Sequence, residues 1–288
     1  MVRDAPGDGH RVPGLLPPRA PIDARFRRPS VVGVLNVTPD SFSDGGVHLA
    51  PAAAMTAARA MLDAGAAMVD VGGESTRPGS SAVSLARELE RVLPVLEGLR
   101  GEPLSIDTAK SEVARVALSL GVELVNDVTA LRGDAELAGV VADSGAYLCL
   151  MHMRGEPATM QDDPRYDDVV SEVKAFLEER LAFAISQGVR EDLVCLDPGI
   201  GFGKTAQHNF TLVRRLGELV AIGRPLLIGF SRKSSLARIT GDGTASTGTT
   251  SASVGIAVAA FDRGASLIRA HDVREHVEAL AAAAAVSG

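Results

Sequence analysis

The chain has 288 residues, of which 46% are hydrophobic and 23% charged, a composition typical of a folded globular protein rather than a disordered one. Its net charge of −7 gives the whole chain no attraction for nucleic acid or anionic membranes, so neither is expected as a partner. No apolar run approaches the roughly 20 residues of a membrane-spanning helix. Cys149 and Cys195 lie inside apolar runs, which predicts buried free thiols and fits a reduced, cytoplasmic setting.

The first 29 residues are rich in Pro, Gly and Arg and show no sustained hydrophobic period. They predict a mobile extension, in which a short strand or hairpin near residues 21–26 is the one structured candidate. Residues 30–288 are expected to form a single domain.

From residue 31 onward, short apolar runs alternate with helical patterns in eight successive units. This rhythm predicts parallel strands joined by helical crossovers. Eight units favour a (β/α)8 TIM barrel over an open doubly wound sheet, which usually has fewer strands. The predicted strands are Val31–Leu35, Ala67–Val71, Leu104–Ile106, Glu123–Val125, Ala146–Met151, Leu193–Leu196, Pro225–Gly229 and Ser266–Ile268. The predicted longer helices are Pro51–Ala64, Ser84–Leu99, Lys110–Leu120, Ala135–Ser144, Asp168–Gln187, His208–Val220, Ser251–Arg263 and Val273–Ala285.

Polar residues stand at almost every predicted strand end, and in a barrel all these ends face one mouth. A single Asp or Asn is well explained as a capping residue, and Asp70 fits such a structural role. The whole set favours a ligand site, in which carboxylates and amides suit several N–H donors and the basic residues suit an anion. The set is Asn36, Asp70, Asp107, Asn126, His152, Asp197, Lys233, Arg269 and His271.

The sixth predicted strand leads into a glycine-rich segment, DPGIGFGKT at 197–205. It matches neither nucleotide fingerprint, because Pro198 occupies the first glycine position of a P-loop and Lys204 the last glycine position of the dinucleotide motif. The glycines allow close backbone approach to a ligand, and Lys204 offers a point charge beside them. The loop Met153–Tyr166 is longer than ordinary connections and is a candidate lid.

Eight segments of the chain resemble the dihydropteroate synthase family of folate biosynthesis. They are GVLNVTPDSFSDGG (33–46), DVGGESTRPG (70–79), SIDT (105–108), NDV (126–128), LMHMRGEPATMQ (150–161), DPGIGFGKTAQHN (197–209), GFSRKSS (229–235) and IRAHDV (268–273). The resemblance implies a TIM-barrel transferase that condenses 6-hydroxymethyl-7,8-dihydropterin diphosphate with 4-aminobenzoate, giving 7,8-dihydropteroate and diphosphate. It also implies Mg2+ as the cofactor and a homodimer.

The resemblance further implies residue roles at the matching positions. The implied catalytic residues are Asn36, Asp107, Lys233 and Arg269. The implied pterin contacts are Asp107, Asn126, Met151, Asp197, Phe202, Lys233 and Arg269. The implied diphosphate contacts are Asn36, Arg77, Arg269 and His271, with Asn36 also the implied magnesium ligand. The implied 4-aminobenzoate contacts are Phe42, Thr76, Pro78 and Ser234.

Two other interpretations remain open on the residues. A pterin-dependent methyl-transfer barrel would share a polar pterin pocket, but it has no need of the loops at 33–46 and 70–79. A catalytically silent homologue that binds pterin or a protein partner would be expected to have lost residues of the site, and those residues are present.

Overall fold

The computed structural model describes residues 19–38, 49–77, 79–240 and 247–287. Within these ranges eight strands form one parallel sheet in which β1 pairs with both β2 and β8. A bridge between Leu196 and Leu226 joins β6 to the segment before the short β7 and nearly closes the barrel. The predicted single-domain TIM barrel is confirmed. Its strands are β1 (Ser30–Asn36), β2 (Met68–Gly72), β3 (Leu104–Asp107), β4 (Leu124–Asp127), β5 (Tyr147–Met151), β6 (Val194–Asp197), β7 (Leu227–Ile228) and β8 (Leu267–Ala270).

Helices follow the strands around the outside of the sheet. The single helix predicted over 208–220 is wrong, because the chain leaves helical geometry at Arg215 and a second short helix begins at Gly217, a residue with poor helix propensity. No helix in the described ranges is long and apolar enough to cross a bilayer. The helices are α1 (Ile22–Arg25), α2 (Leu49–Asp63), α3 (Leu85–Gly98), α4 (Ser111–Ser119), α5 (Leu137–Ser144), α6 (Val169–Ser186), α7 (Ala206–Arg214), α8 (Gly217–Val220), α9 (Ser234–Ala237), α10 (Thr250–Asp262) and α11 (Val273–Val286).

The two-residue period of the strands separates an apolar outer core from a layered interior. On β2, Val69 and Val71 belong to the large apolar cluster shared with the helices, whereas Met68 belongs to the smaller cluster inside the barrel. Asp70 lies on the same face as Met68 because side chains alternate along a strand. The same alternation places Ser105 on the inner face of β3. The interior therefore changes from apolar to polar toward the carboxyl ends of the strands.

The structure differs from the predicted mobile extension over residues 19–29. Instead of a strand or hairpin, residues 22–25 form α1, and Ile22 and Phe26 are buried in the apolar cluster at the amino-terminal end of the barrel. The Arg25 Nε donates to Glu123 at 2.9 Å and fixes this segment to the barrel. Only two apolar residues are buried here, so the segment shows no hydrophobic period from which order could be inferred.

Candidate active site

The register of the sheet aligns predicted site residues along the rim of the barrel. Asn36 on β1 pairs with Gly72 on β2, and Gly72 pairs with Asp107 on β3. Asp107 in turn pairs with Asn126 on β4. Asp197 ends β6 farther round the sheet. Hydrogen-bonded strands thus hold these oxygen-bearing side chains on a rigid frame.

Arg269 on β8 donates to two carboxylates inside the barrel. Its Nε lies 2.6 Å from the Asp70 Oδ2, and its Nη2 lies 2.8 Å from the Asp107 Oδ2. Asp70 also accepts from the Ser105 Oγ at 2.6 Å and from the Asn126 Nδ2 at 2.9 Å. Because its oxygens face protein donors, Asp70 has the structural surroundings predicted for it, whereas Asp107 lies at the rim.

Burial makes the two rim carboxylates weaker acids than usual. It raises the pKa of Asp107 to about 7, an effect that Arg269 opposes and Asp70 reinforces. It raises the pKa of Asp197 to about 6, although the Gly199 N–H donates to the Asp197 Oδ1 at 2.7 Å and opposes the shift. Both carboxylates have lost much of their hydration, so ligand N–H donors at the mouth would stabilise their charged forms.

The glycine-rich turn after β6 is shaped by contact with the neighbouring loop. Gly199 has φ 68° and Gly203 has φ 63°, both in the left-handed region. A Cβ atom at Gly199 would lie 1.8 Å from the His152 carbonyl oxygen, and one at Gly203 would lie 2.3 Å from the Arg154 carbonyl oxygen. For these two glycines, the close approach is to protein backbone, not to a ligand as predicted.

Lys204 lies inside this turn, with only 3% of its surface exposed. Its Nζ is 2.8 Å from the His152 Nδ1, and it donates to the carbonyl oxygens of Gly199 at 2.9 Å and Phe202 at 3.0 Å. Burial lowers the pKa of Lys204 to about 7 and that of His152 to about 2, so the imidazole is neutral and its Nδ1 accepts. The prediction that Lys204 offers a charge to a ligand is wrong, because its three donors are used within the protein.

The loop predicted as a lid, residues 153–166, braces the glycine-rich turn instead. The Gln161 side chain donates to the Gly201 carbonyl, and the Tyr166 hydroxyl donates to the Gly203 carbonyl at 2.9 Å. An apolar cluster joins the loop to the predicted pterin contacts on β5 and in the turn. Its members are Val128, Met151, Met153, Met160 and Phe202.

Lys233 lies at the start of α9, above the apolar cluster. Its Nζ is 4.5 Å from the centroid of the Phe202 ring, a distance suited to a cation–π contact. Burial, reinforced by the charge of Arg269, lowers the pKa of Lys233 to about 8. Arg77 is exposed, and its charge also helps to lower the pKa of this lysine.

His271 follows β8 and is hydrogen-bonded to the segment after β7. Its Nδ1 lies 3.1 Å from the Ser231 Oγ. Burial and the nearby charges of Arg232 and Arg269 lower the pKa of His271 to about 4. His271 is therefore neutral near pH 7 and offers a hydrogen bond rather than the cationic charge expected beside an anion.

The loop after β2 is anchored by charged residues that were not predicted from the sequence to belong to the site. The Arg91 Nη1 donates to the Gly73 carbonyl at 2.7 Å. Lys110 bridges Glu74 in the loop and the buried Glu88 on α3, with 2.5 Å between Nζ and the Glu88 Oε2. Charged residues in helical patterns usually indicate a solvated face, so no signal in the sequence distinguished Glu88.

The predicted aminobenzoate contacts are only partly described. Thr76 is half-buried in the loop after β2, and Ser234 is exposed as the first residue of α9. Phe42 and Pro78 lie outside the described residues.

Comparison with known proteins relates the chain to one family. A family model described as pterin binding enzyme matches residues 32–271. The dihydropteroate synthase of Escherichia coli (strain K12) is 46% identical over 255 residues, covering 88% of this chain and 89% of that protein. The solved dihydropteroate synthase of Xanthomonas albilineans with 4-aminobenzoic acid has a TM-score of 0.84 and 43% identity, covering 91% of this chain and 94% of that one. Another structure from that organism, in complex with 7,8-dihydropteroate, has a TM-score of 0.80 and 40% identity over 91% of this chain and 95% of that one.

The chain belongs to the dihydropteroate synthase family. The predicted family, enzyme class and reaction are confirmed by this identity and coverage. Dihydropteroate synthases are transferases that join 6-hydroxymethyl-7,8-dihydropterin diphosphate to 4-aminobenzoate and release diphosphate.

Ser105 is a buried residue near the site that the sequence could have identified. It stands two residues before Asp107 on β3, within the matching SIDT segment. Residues two apart on a strand share a face, so Asp107 at the mouth places Ser105 inside the barrel. By contrast, Gln161 lies in a polar loop whose composition does not predict its contact with Gly201.

Proposed function

We propose that the dihydropteroate synthase reaction of this chain takes place at the carboxyl-end mouth of the barrel, with the pterin held by Asp107, Asn126 and Asp197. The observation that supports this most strongly is the buried, rigid rim of hydrogen-bond acceptors. A pterin edge carries ring N–H and NH2 donors that match such acceptors. The complexes of the Xanthomonas albilineans relative with 4-aminobenzoic acid and with 7,8-dihydropteroate support both ligands.

The remaining proposed pterin contacts enclose the ring from its sides. Met151 and Phe202 belong to one buried apolar cluster and would pack against the ring. Arg269, fixed at two nitrogens by carboxylates, would stack its planar guanidinium on the ring face. Lys233, held over Phe202, would donate to an acceptor on the pterin.

The chemistry replaces one bond of the pterin methylene carbon. The carbon–oxygen bond to diphosphate breaks, its electron pair leaves with the diphosphate, and a carbon–nitrogen bond forms to the aromatic amine, which gives up one proton. The ring becomes electron-poor as the leaving bond lengthens. The negative charges of Asp107 and Asp197 stabilise that state more than the ground state. The neutral amine needs positioning rather than prior deprotonation.

The diphosphate would meet Asn36, Arg77, Arg269 and the neutral His271. Within the described residues, no three His, Cys, Asp or Glu side chains gather as a metal site. Magnesium nevertheless fits here, because it prefers oxygen ligands and often takes only one or two from protein, with substrate phosphates and water supplying the rest. The amide oxygen of Asn36 would be the protein ligand. When bound, Mg2+ offsets the charge that grows on the departing diphosphate.

The 4-aminobenzoate pocket would lie between the loop after β2 and the start of α9. Thr76 and Ser234 supply hydroxyl donors suited to the carboxylate of this substrate. Phe42 and Pro78 are proposed to complete the pocket. We also propose a homodimer and a cytoplasmic location, the latter supported by two buried free thiols.

Activity is tested with purified protein, Mg2+ and both substrates. We expect dihydropteroate and diphosphate in equal amounts, and no diphosphate release when 4-aminobenzoate is omitted. Asp107→Asn and Asp197→Asn should each weaken pterin binding by about 1.5–3 kcal/mol, because a ligand N–H loses its charged acceptor. The control is Asp143→Asn, at an exposed position on α5. A folded protein that binds both substrates without forming product would be a catalytically silent homologue.

A further inference from the structure

Asp70 is a buried carboxylate that lies beneath the rim and has three side-chain donors. Only 1% of its surface is exposed. The Asp70 Oδ1 accepts from Ser105, and the Asp70 Oδ2 accepts from both Asn126 and Arg269, at 2.6–2.9 Å. Two of these donors, Asn126 and Arg269, are proposed pterin contacts, so Asp70 touches the pterin site through its neighbours.

The contact with Asn126 determines which end of that amide faces the mouth. The oxygen and nitrogen ends of an asparagine have almost the same shape, so hydrogen bonding decides its orientation. A carboxylate only accepts, and Asp70 therefore binds the NH2 end of Asn126 at 2.9 Å. The Asn126 Oδ1 accepts no hydrogen bond from any described residue and is left for a ligand.

The contact with Arg269 fixes the plane of its guanidinium group. The Asp70 Oδ2 accepts from Nε and the Asp107 Oδ2 accepts from Nη2, so two nitrogens of the guanidinium group are held in place. Arg269 is 20% exposed at its side chain, which leaves a face of the group accessible from the mouth. Without Asp70, only the Asp107 contact would hold the group.

We propose that Asp70 is a specificity-determining positioning residue, which makes Asn126 accept rather than donate at the pterin site by binding its NH2 end and which fixes Arg269 through its Nε. This inference rests on the proposed pterin site and extends it. Asp107 and Asp197 accept hydrogen bonds because of their own chemistry, whereas Asn126 accepts only in the orientation that Asp70 imposes. Asp70 thereby excludes ligands that present an acceptor where the pterin presents an N–H.

Two substitutions separate this role from a general effect on folding. Asp70→Leu has similar volume but no acceptor, so Asn126 is free to turn its NH2 group toward the mouth. Asp70→Asn is the matched control. Its oxygen can remain at the Oδ2 position, while its NH2 group donates to the Ser105 hydroxyl, which accepts after rotation. If Asp70→Leu fails to fold, Asp70→Ala serves instead, because a water in its place donates as readily as it accepts.

The test measures dissociation constants by calorimetry for three probes. They are 6-hydroxymethyl-7,8-dihydropterin, its oxidised form, which lacks the N–H at ring position 8, and the analogue with oxygen in place of the 2-amino group. Wild-type protein should prefer the dihydropterin over both analogues. In Asp70→Leu, the preference over at least one analogue should fall by roughly tenfold, the size of one buried hydrogen bond. Asp70→Asn should keep the wild-type preference.

Several outcomes would overturn the inference. If Asp70→Leu, or Asp70→Ala in its place, weakened the binding of all three probes by the same factor, Asp70 would have a structural role alone. A collapsed preference in Asp70→Asn would show that charge, not amide orientation, sets the specificity. Wild-type protein that fails to bind the dihydropterin would instead refute the proposed pterin site, so the two failures are distinguishable. Thermal unfolding of each variant confirms that the compared proteins are folded.

Discussion

At the scale of single residues, burial shifts the pKa of each ionisable group of the mouth in the direction that favours its neutral form. It raises the pKa of Asp107 and Asp197 and lowers that of Lys233 and His271. Each shift disfavours the charged form in the absence of a ligand. Ligand groups of complementary polarity would replace the stabilisation of the charged forms that water no longer provides. Ligand binding should therefore be coupled to proton uptake or release.

Pterin affinity is therefore predicted to fall at acidic pH. The pKa of Asp197 is raised from 3.8 to about 6 by burial, and the form that accepts pterin N–H donors is ionised. Lowering the pH from 7.5 to 5 should weaken binding roughly tenfold through this group. Protonation of Asp107 should also weaken pterin binding, and it begins at higher pH because the pKa of Asp107 is raised to about 7. Calorimetry with 6-hydroxymethylpterin measures the effect, and constant wild-type affinity over this range would contradict it.

The control for this pH dependence is Asp197→Asn, which should bind pterin weakly and retain only the pH dependence due to Asp107.

The stability of the fold should depend on pH in the opposite direction to pterin binding. Between pH 3.8 and about 6 the folded protein holds a proton at Asp197 that the unfolded chain has lost. The contribution of this group to stability therefore decreases as the pH rises through that interval.

The sequence was sufficient to predict that Asp107, Asn126 and Asp197 lie at the carboxyl ends of strands, because each follows directly on an apolar run. Asp107 and Asn126 lie near the carboxyl ends of neighbouring strands, so parallel pairing alone brings them together. It could not predict that the cationic motif residue Lys204 is buried. That outcome depends on the His152 side chain, 52 residues away, and a contact with so distant a residue leaves no local pattern.

At the scale of elements, α1 and the residues that follow it close the amino-terminal end of the barrel. The Phe26 ring packs edge-on against Tyr147, with 5.8 Å between centroids, and the Arg25 guanidinium lies over the Phe26 ring, 4.7 Å from its centroid. The Tyr147 hydroxyl donates to the Ala20 carbonyl at 2.9 Å. These contacts join distant parts of the chain, so the composition of the first 29 residues could not reveal them.

Removing the Phe26 ring is predicted to destabilise the barrel without affecting the site. Phe26→Ala should lower the free energy of unfolding by about 3–5 kcal/mol, because it leaves a cavity in the buried cluster. Pterin affinity should be unchanged in the folded protein, since the mouth is at the opposite end. Urea unfolding and calorimetry measure the two quantities. Arg27→Ala, at an exposed neighbouring position, is the control. A Phe26→Ala protein as stable as wild type would show that this segment is dispensable.

The length of the loop at residues 153–166 was not sufficient to predict that it supports the glycine-rich turn. Length and polarity are shared by lids and by loops that support another loop. The distinction here depends on contacts with Gly201 and Gly203, which allow the long loop to support the turn after Asp197. A loop with few buried contacts would open easily, whereas this one carries Met160 into an apolar cluster.

At the scale of the whole molecule, the repeated rhythm of strands and helices was sufficient to predict the barrel. Its least regular part is the seventh unit, where β7 has two residues and the predicted strand Pro225–Gly229 had five. Leu226 forms only an isolated bridge with β6 there. Local hydrophobicity indicates that a segment is buried, but the extent of its pairing depends on both neighbouring strands.

One outer face of the barrel is unusually poor in charge. Residues 250–261 of α10 include no Asp, Glu, Lys or Arg, although only Ser253, Ala257, Ala260 and Phe261 of this helix are buried. A helix facing water would normally carry charged residues on its outer side. The groove between α10 and α11 is lined by Thr250, Ser251, Val254, Gly255, Glu275, Glu278 and Ala279. The small side chains that α10 contributes to this groove permit close approach of a second helix, so this face is the proposed dimer surface.

The homodimer is tested by placing a large charge on that face. Gly255 on α10 and Gly139 on α5 are both exposed, and a Cβ atom at either would meet nothing within 4 Å in the single chain. Arginine should therefore be tolerated at both positions by the isolated fold. Light scattering should give wild-type protein and Gly139→Arg about twice the chain mass of 29.8 kDa, and Gly255→Arg the mass of one chain. Monomeric wild-type protein at micromolar concentrations would refute the dimer, and dimeric Gly255→Arg would place its interface elsewhere.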